Sequence, residues 1–85
     1  MHIDTKEKIA GVPILEVRKL LRHGQRSAWP IDLVSSLLKI DEEAAQTLIT
    51  TLHQQGYIES GKSFGGGGYW QNTVKGNALA LASAN

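Results

Sequence analysis

The 85-residue chain contains no cysteine, which excludes disulfide bonds and thiolate metal sites. No apolar run exceeds five residues, whereas a helix that spans a bilayer needs roughly 20. The segment His2–Lys8 also lacks the apolar stretch of a signal peptide. With 41% hydrophobic and 20% charged residues, the composition is ordinary for a globular chain. We therefore expect one small cytoplasmic domain with no membrane partner.

The chain also lacks a strong excess of one charge, since its formal net charge is only +1. DNA-binding domains usually carry a basic excess, because contacts to phosphates supply much of their affinity. Any electrostatic attraction for DNA must therefore come from a local cluster of cations.

Signs of catalysis or of a cofactor are missing as well. The three histidines, His2, His23 and His53, have no spacing that places two on one helix face, and without cysteines a structural metal site is not expected. No Ser, His and Asp stand in a recognisable nucleophile motif. We expect a protein that is not an enzyme and that carries no cofactor.

One phosphate-loop pattern, G-x-x-x-x-G-K-S, occurs at Gly56–Ser63. The chemistry requires a strand before the first glycine and a helix after the serine, so that backbone N–H groups converge on a phosphate. Here a predicted helix precedes Gly56 and a glycine run follows Ser63. The pattern is therefore better explained as a helix cap followed by a hairpin.

Apolar periodicity and capping residues predict four helices. The first spans Pro13–His23 and stops at Gly24; the second opens at Pro30. Asp41 is a suitable N-cap for the third, which ends at Gly56. Thr73 caps the fourth, in which we expect packing through Val74, Ala78, Leu79 and Leu81.

Aromatic residues mark the predicted strands. A short edge strand ends at Trp29, and Tyr57–Glu59 pairs with Tyr69–Gln71 as a hairpin whose glycine-rich tip we expect to be mobile. The fold class is α+β and mainly α, in the order helix, strand, helix, helix, strand, strand, helix. A polar lead-in occupies residues 1–11 and the domain residues 12–85.

The candidate binding residues are basic and polar. Arg18 and Arg22 lie four residues apart on the first helix and are expected to share a face, Lys39 follows the second helix, and Lys62 lies on the hairpin. These cations are either phosphate contacts or part of a solvated surface paired with acids such as Glu16.

The third helix carries both favourable and unfavourable groups for DNA. Gln46, Thr47 and Thr50 lie on its polar face and can bond to base edges or phosphates. However, residues 41–55 include three acids and neither Lys nor Arg. This composition favours weak binding, or binding strengthened by dimerisation.

The segments "VPILEVRKLLR", "LITTLHQQGYIES" and "YWQNTVKGNALALASA" together resemble the winged helix-turn-helix domains of bacterial transcriptional regulators. Thr73 and Gly76 match a frequent T-x-x-G pattern at the junction of the wing and the last helix. More narrowly, the chain is similar to winged-helix segments at the N-terminus of certain bacterial nucleotidyltransferase-associated proteins.

This resemblance implies a three-helix core, a β-hairpin wing and a C-terminal helix that bind double-stranded DNA, commonly as a homodimer. By matched position, Gln46, Thr47 and Thr50 face the groove and Lys62 the flanking phosphates. The acidic start of the third helix departs from the pattern. The alternative function is a protein-interaction module of a larger multidomain protein, which docks a partner domain.

Overall fold

The computed structural model of the protein describes residues 2–3, 6–25, 28–61 and 69–84. Four helices form most of this structure. They are α1 (Ile14–His23), α2 (Ile31–Leu38), α3 (Glu42–Gln54) and α4 (Val74–Leu81). The predicted number and order of helices are confirmed, and the structure is α+β and mainly helical.

Seven short strands accompany the helices. They are β1 (His2–Ile3), β2 (Lys8–Ile9), β3 (Val12–Pro13), β4 (Trp29–Pro30), β5 (Ile58–Gly61), β6 (Tyr69–Asn72) and β7 (Ser83–Ala84). Strand β6 lies between β4 and β5 and is antiparallel to both, with Trp29 opposite Trp70 and Glu59 opposite Gln71. The predicted hairpin and edge strand are therefore both present.

One apolar core joins the helices to the sheet. Trp29 is 1% exposed, so this aromatic ring packs in the core. The buried apolar residues are Val12, Ile14, Val17, Leu20, Leu21, Trp29, Val34, Leu38, Ala45, Leu48, Ile49, Leu52, Ile58, Leu79, Ala80 and Ala82. Helices α1, α2 and α3 supply most of these residues. Packing among the three helices therefore determines which of their sides face outward.

The N-terminal lead-in contains more regular structure than its polar sequence predicts. Strands β2 and β3 form an antiparallel hairpin in which Ile9 is opposite Val12. The two residues between them, Ala10 and Gly11, both have positive φ, 51° and 79°, as a type I′ turn requires. Strand β1 pairs in parallel with β7, so residues near both ends of the chain meet.

The junction between the hairpin and α4 explains the T-x-x-G pattern. The Thr73 hydroxyl accepts a hydrogen bond from the Gly76 N–H at 3.1 Å and donates one to the Gly56 carbonyl at 2.5 Å. A Cβ atom on Gly76 would lie 2.0 Å from the Tyr57 carbonyl oxygen. The threonine therefore caps α4, and the glycine lets α4 approach the backbone at the start of the hairpin.

Arg18, one of the candidate binding residues, is buried. It is 8% exposed, and its Nε donates a hydrogen bond to the Leu79 carbonyl at 3.2 Å. Its guanidinium also donates to the carbonyls of Ala80 and Ala82. These carbonyls lie in the last turn of α4 and just beyond it, where most carbonyls lack a helical N–H partner; the Leu79 carbonyl also accepts a hydrogen bond from the Ala82 N–H at 3.2 Å. Arg18 and Arg22 leave α1 on similar sides, as their spacing predicts, but Arg18 is buried as a helix cap whereas Arg22 is exposed.

The predicted packing face of α4 is also largely wrong. Leu79 is buried as expected, but Val74 is 88% and Leu81 71% exposed, and Ala78 is exposed. The residues that pack inward with Leu79 are Gly76 and Ala80. At Gly76 the inward position has no room for a side chain, because α4 lies against the Tyr57 backbone there.

Candidate nucleic-acid interface

The exposed side of α3 is the candidate interface. The apolar stripe of α3, from Ala45 to Leu52, is buried against the core. The opposite side is therefore turned outward, and Gln46, Thr47 and Thr50 are all exposed on it. The three polar side chains thus lie on the exposed side of α3, as predicted from the sequence.

The start of α3 is fixed by a side-chain cap. The Asp41 carboxylate accepts a hydrogen bond from the Ala44 N–H at 2.7 Å, as predicted for an N-cap. Glu42 and Glu43 follow in the first turn and are exposed. Acids stabilise this end of a helix because the helix dipole is positive there. The same acids make the beginning of the candidate interface negative.

The threonine hydroxyls on α3 are already partly used within the helix. The Thr47 hydroxyl donates to the Glu43 carbonyl at 3.0 Å, and the Thr51 hydroxyl donates to the Thr47 carbonyl at 2.9 Å. Thr47 therefore keeps its oxygen as an acceptor and its methyl group for apolar contact. A methyl group of this kind can contact the methyl of thymine.

The turn between α2 and α3 places a cation beside this face. Lys39 is exposed and adopts a left-handed conformation with φ 55° and ψ 46°. Glycine or asparagine is usually found in this conformation, since other side chains raise its energy. Its backbone is thus held in an unfavourable conformation while its ammonium group faces solvent.

A cleft lies between α2 and the first half of α3. Its volume is about 190 Å³, and it is lined by Ile31, Asp32, Ser35, Glu42, Ala45 and Gln46. The Ser35 hydroxyl donates to the Asp32 carbonyl at 3.1 Å, so this mid-helix serine is hydrogen-bonded to the preceding turn. The carboxylates of Asp32 and Glu42 make the cleft unsuited to phosphate.

The end of α3 contacts the sheet. The rings of His53 and Trp70 have centroids 5.2 Å apart and are tilted by 59°. In addition, Gln71 Nε2 donates to Glu59 Oε1 at 2.9 Å across the β5–β6 pair. These contacts set the position of the base of the hairpin relative to the candidate interface.

The other predicted cations do not join this surface in the described structure. Arg22 is exposed on α1, next to the side of α1 from which Arg18 contacts α4. Lys62, Arg26 and the glycine run at 65–68 lie outside the described residues. Among the predicted site residues that the structure describes, α3 and its preceding turn bring together only Gln46, Thr47, Thr50 and Lys39.

Lys75 has a role that its sequence context did not indicate. Its Nζ donates to the Gln55 carbonyl at 2.7 Å and lies 4.5 Å from the centroid of the Tyr57 ring. A cation is favoured beside the carbonyl end of a helix and over an aromatic face. Lys75 therefore ties the beginning of α4 to the end of α3. No spacing rule could reveal this contact between residues 20 positions apart.

Comparisons with protein-family models, curated proteins and solved structures gave no significant match. No helix in the described ranges has both the length and the apolar character needed to cross a bilayer. Within those same ranges, no group of three or more His, Asp or Glu side chains is arranged to hold a metal ion. The candidate function therefore rests on the geometry and charge of the surfaces described above.

Proposed function

We propose that the protein is a winged helix-turn-helix domain that binds duplex DNA, as a bacterial transcriptional regulator or as the DNA-binding module of one. One observation carries the proposal. Helices α2 and α3 are followed by an antiparallel hairpin whose second strand pairs with β4, and the polar side of α3 is free. This order leaves one helix and one hairpin to contact DNA.

In this proposal α3 enters the major groove with Gln46, Thr47 and Thr50 toward the bases. Gln46 has the amide geometry that pairs with adenine. Lys39 reaches a phosphate at one side, and Lys62 on the wing reaches the backbone at another. The left-handed conformation of Lys39 supports its role, because an unfavourable conformation at an exposed lysine is consistent with a use for its charge.

The carboxylates at the start of α3 set the strength of the interaction. Glu42 and Glu43 approach phosphates when the helix enters a groove, and each opposes binding. We therefore propose weak binding by the single domain, increased when two copies of a homodimer engage adjacent half-sites. If the cations Lys39 and Lys62 each neutralise one phosphate, log K falls with log salt concentration with a slope of about −1.8.

A salt titration tests this proposal. Fluorescence anisotropy of a labelled duplex, measured between 50 and 200 mM salt, should show affinity falling by about 12-fold. A slope near zero, or no binding at high micromolar protein, would reject DNA binding. The competing function, a protein-interaction module, is favoured by the three exposed acids at the start of α3, which are Asp41, Glu42 and Glu43.

A matched pair of glutamine variants tests the role of α3. After selection of a preferred duplex from a random pool, Gln46→Ala should weaken binding to it by about tenfold, the cost of one lost base contact. Gln54→Ala alters another exposed glutamine of α3, at the end of the helix, and should change affinity less than about twofold. Equal effects of the two variants would contradict base contact by the first half of α3.

A further inference from the structure

The outer side of α4 is apolar although it faces solvent. Val74, Ala78 and Leu81 are spaced by four and three residues and so lie on one face, and all three are exposed. The opposite face, formed by Gly76, Leu79 and Ala80, packs inward. A helix that is apolar on both sides is typical of an element covered on both sides. Among the described residues, the fold covers only one side of α4.

A leucine on α1 extends this apolar surface. Asn72, just before α4, donates to the Leu21 carbonyl at 2.6 Å, while Arg18 binds the last carbonyls of α4. The two helices are therefore antiparallel, and the end of α4 lies beside the first half of α1. Leu15, less than one turn before Arg18, is 44% exposed. We call Leu15, Val74, Ala78 and Leu81 the α1–α4 apolar face.

The exposed charges of α1 beside the α1–α4 apolar face are positive. Lys19 and Arg22 are exposed on the same side of α1 as Leu15. Glu16, the acid of α1, is half-buried and points about 100° around the helix from Leu15. Another exposed acid, Glu7, lies beside the start of α1, where its carbonyl accepts a hydrogen bond from the Ile14 N–H. The exposed acids of the helix pair α2–α3 are Asp32, Asp41, Glu42 and Glu43. Lys19 and Arg22, more than one turn beyond Ile14, thus give the apolar face a basic side.

We propose that the α1–α4 apolar face binds an acidic amphipathic helix of a partner protein. Its leucine-type side chains would cover Val74 and Leu81, and its carboxylates would meet Lys19 and Arg22. Charge complementarity selects this occupant. In a twofold contact with a second copy of the chain, the same cations would face one another, and like charges across an interface oppose association.

The size of the surface sets the expected affinity. Helix α4 has eight residues and is therefore about 12 Å long. A contact of this length buries far less than the roughly 1,200–2,000 Å² of a stable complex. The partner helix therefore binds weakly and transiently.

A pair of synthetic peptides tests the proposed chemistry. Both are 14-residue helices with leucine at one-face spacing; one carries glutamate at the remaining positions and the other lysine. Titrated into the full chain and followed by calorimetry, the glutamate peptide should bind at least tenfold more tightly than the lysine peptide. No binding of the glutamate peptide at 1 mM, or equal binding of both, would overturn the proposal.

Two variants of equal charge locate the site. Leu81→Glu places a carboxylate in the apolar face and should weaken the glutamate peptide at least fivefold. Thr50→Glu adds the same charge on α3 and should change binding less than twofold. Both positions are exposed, so circular dichroism should show the native helix content in each. Equal weakening by the two variants would contradict the assigned site.

Sedimentation of the free protein separates the partner helix from a second copy. The proposal expects a monomer at the concentrations of the titration, with or without Leu81→Glu. A dimer that Leu81→Glu dissociates would overturn the proposal in favour of self-association. Binding to vesicles of anionic lipid that Leu81→Glu abolishes, without binding of the glutamate peptide, would overturn it in favour of a lipid surface.

Discussion

Helices α3 and α4 begin in the same way and are held in place by different means. Each has a side-chain cap, from Asp41 to the Ala44 N–H and from Thr73 to the Gly76 N–H. After that they diverge. Four apolar side chains of α3 are buried, whereas α4 buries Leu79 with two small residues and leaves its larger apolar side chains exposed.

This difference shows which interactions stabilise each helix. Burying a Leu or Ile side chain contributes about 1.5–3 kcal/mol, and α3 buries three of them, Leu48, Ile49 and Leu52. Helix α4 depends instead on close backbone approach at Gly76 and on the hydrogen bonds from Arg18. Single substitutions at those two residues should therefore detach α4, while α3 tolerates changes on its outer side.

The largest effect should come from Gly76→Ala. Alanine usually stabilises a helix by about 1 kcal/mol relative to glycine. Here its Cβ atom would lie 2.0 Å from the Tyr57 carbonyl oxygen, and backbone must move to relieve the overlap. We expect a loss of about 3 kcal/mol, or a Tm lower by more than about 10 °C, in a thermal melt. An unchanged or higher Tm would show that α4 does not pack this closely against the Tyr57 backbone.

The next effect should come from Arg18→Met, with Arg22→Met as its control. Methionine keeps most of the apolar length of Arg18 but donates no hydrogen bond. It removes the hydrogen bonds that Arg18 donates to the carbonyls of Leu79, Ala80 and Ala82, at a cost of about 2–3 kcal/mol. Arg22 is exposed, so its substitution should change stability by less than about 0.5 kcal/mol. Urea unfolding measures both; equal shifts would contradict the capping role of Arg18.

The contrast between the two arginines shows what could be predicted from the sequence. A spacing of four residues correctly indicates that their side chains leave α1 on similar sides. It does not indicate that α4 covers one of them, because the contact joins residues 61 positions apart. The helices themselves were predictable, since their caps and glycine stops act over three or four residues.

Helix α4 shows the same limit from the other direction. Its sequence is apolar around most of the helix, so periodicity does not distinguish an inner from an outer face. Only the close approach at Gly76 decides that the small residues turn inward. By contrast, the polar side of α3 was predictable because its four buried residues repeat at helical spacing.

The smallest effect is expected for Lys39→Gly, in the turn between α2 and α3, which should stabilise the protein. The left-handed conformation costs a residue with a side chain about 1–2 kcal/mol. Glycine removes that cost but loses about 0.5–1 kcal/mol of chain entropy on folding. We therefore expect a gain of about 0.5–1 kcal/mol, measured as a higher urea midpoint. An unchanged or lower midpoint would show that the conformation of Lys39 carries no such cost.

Ala10→Gly provides the matched control for Lys39→Gly, because Ala10 also has a positive φ, 51° against 55°. Both variants should stabilise the protein by a similar amount, since the backbone argument is the same at both positions. Only Lys39→Gly removes a cation beside α3, so only it should weaken duplex DNA and reduce the salt slope by about one. Equal DNA affinity of the two variants would remove Lys39 from the proposed interface and leave its conformation without a functional reason.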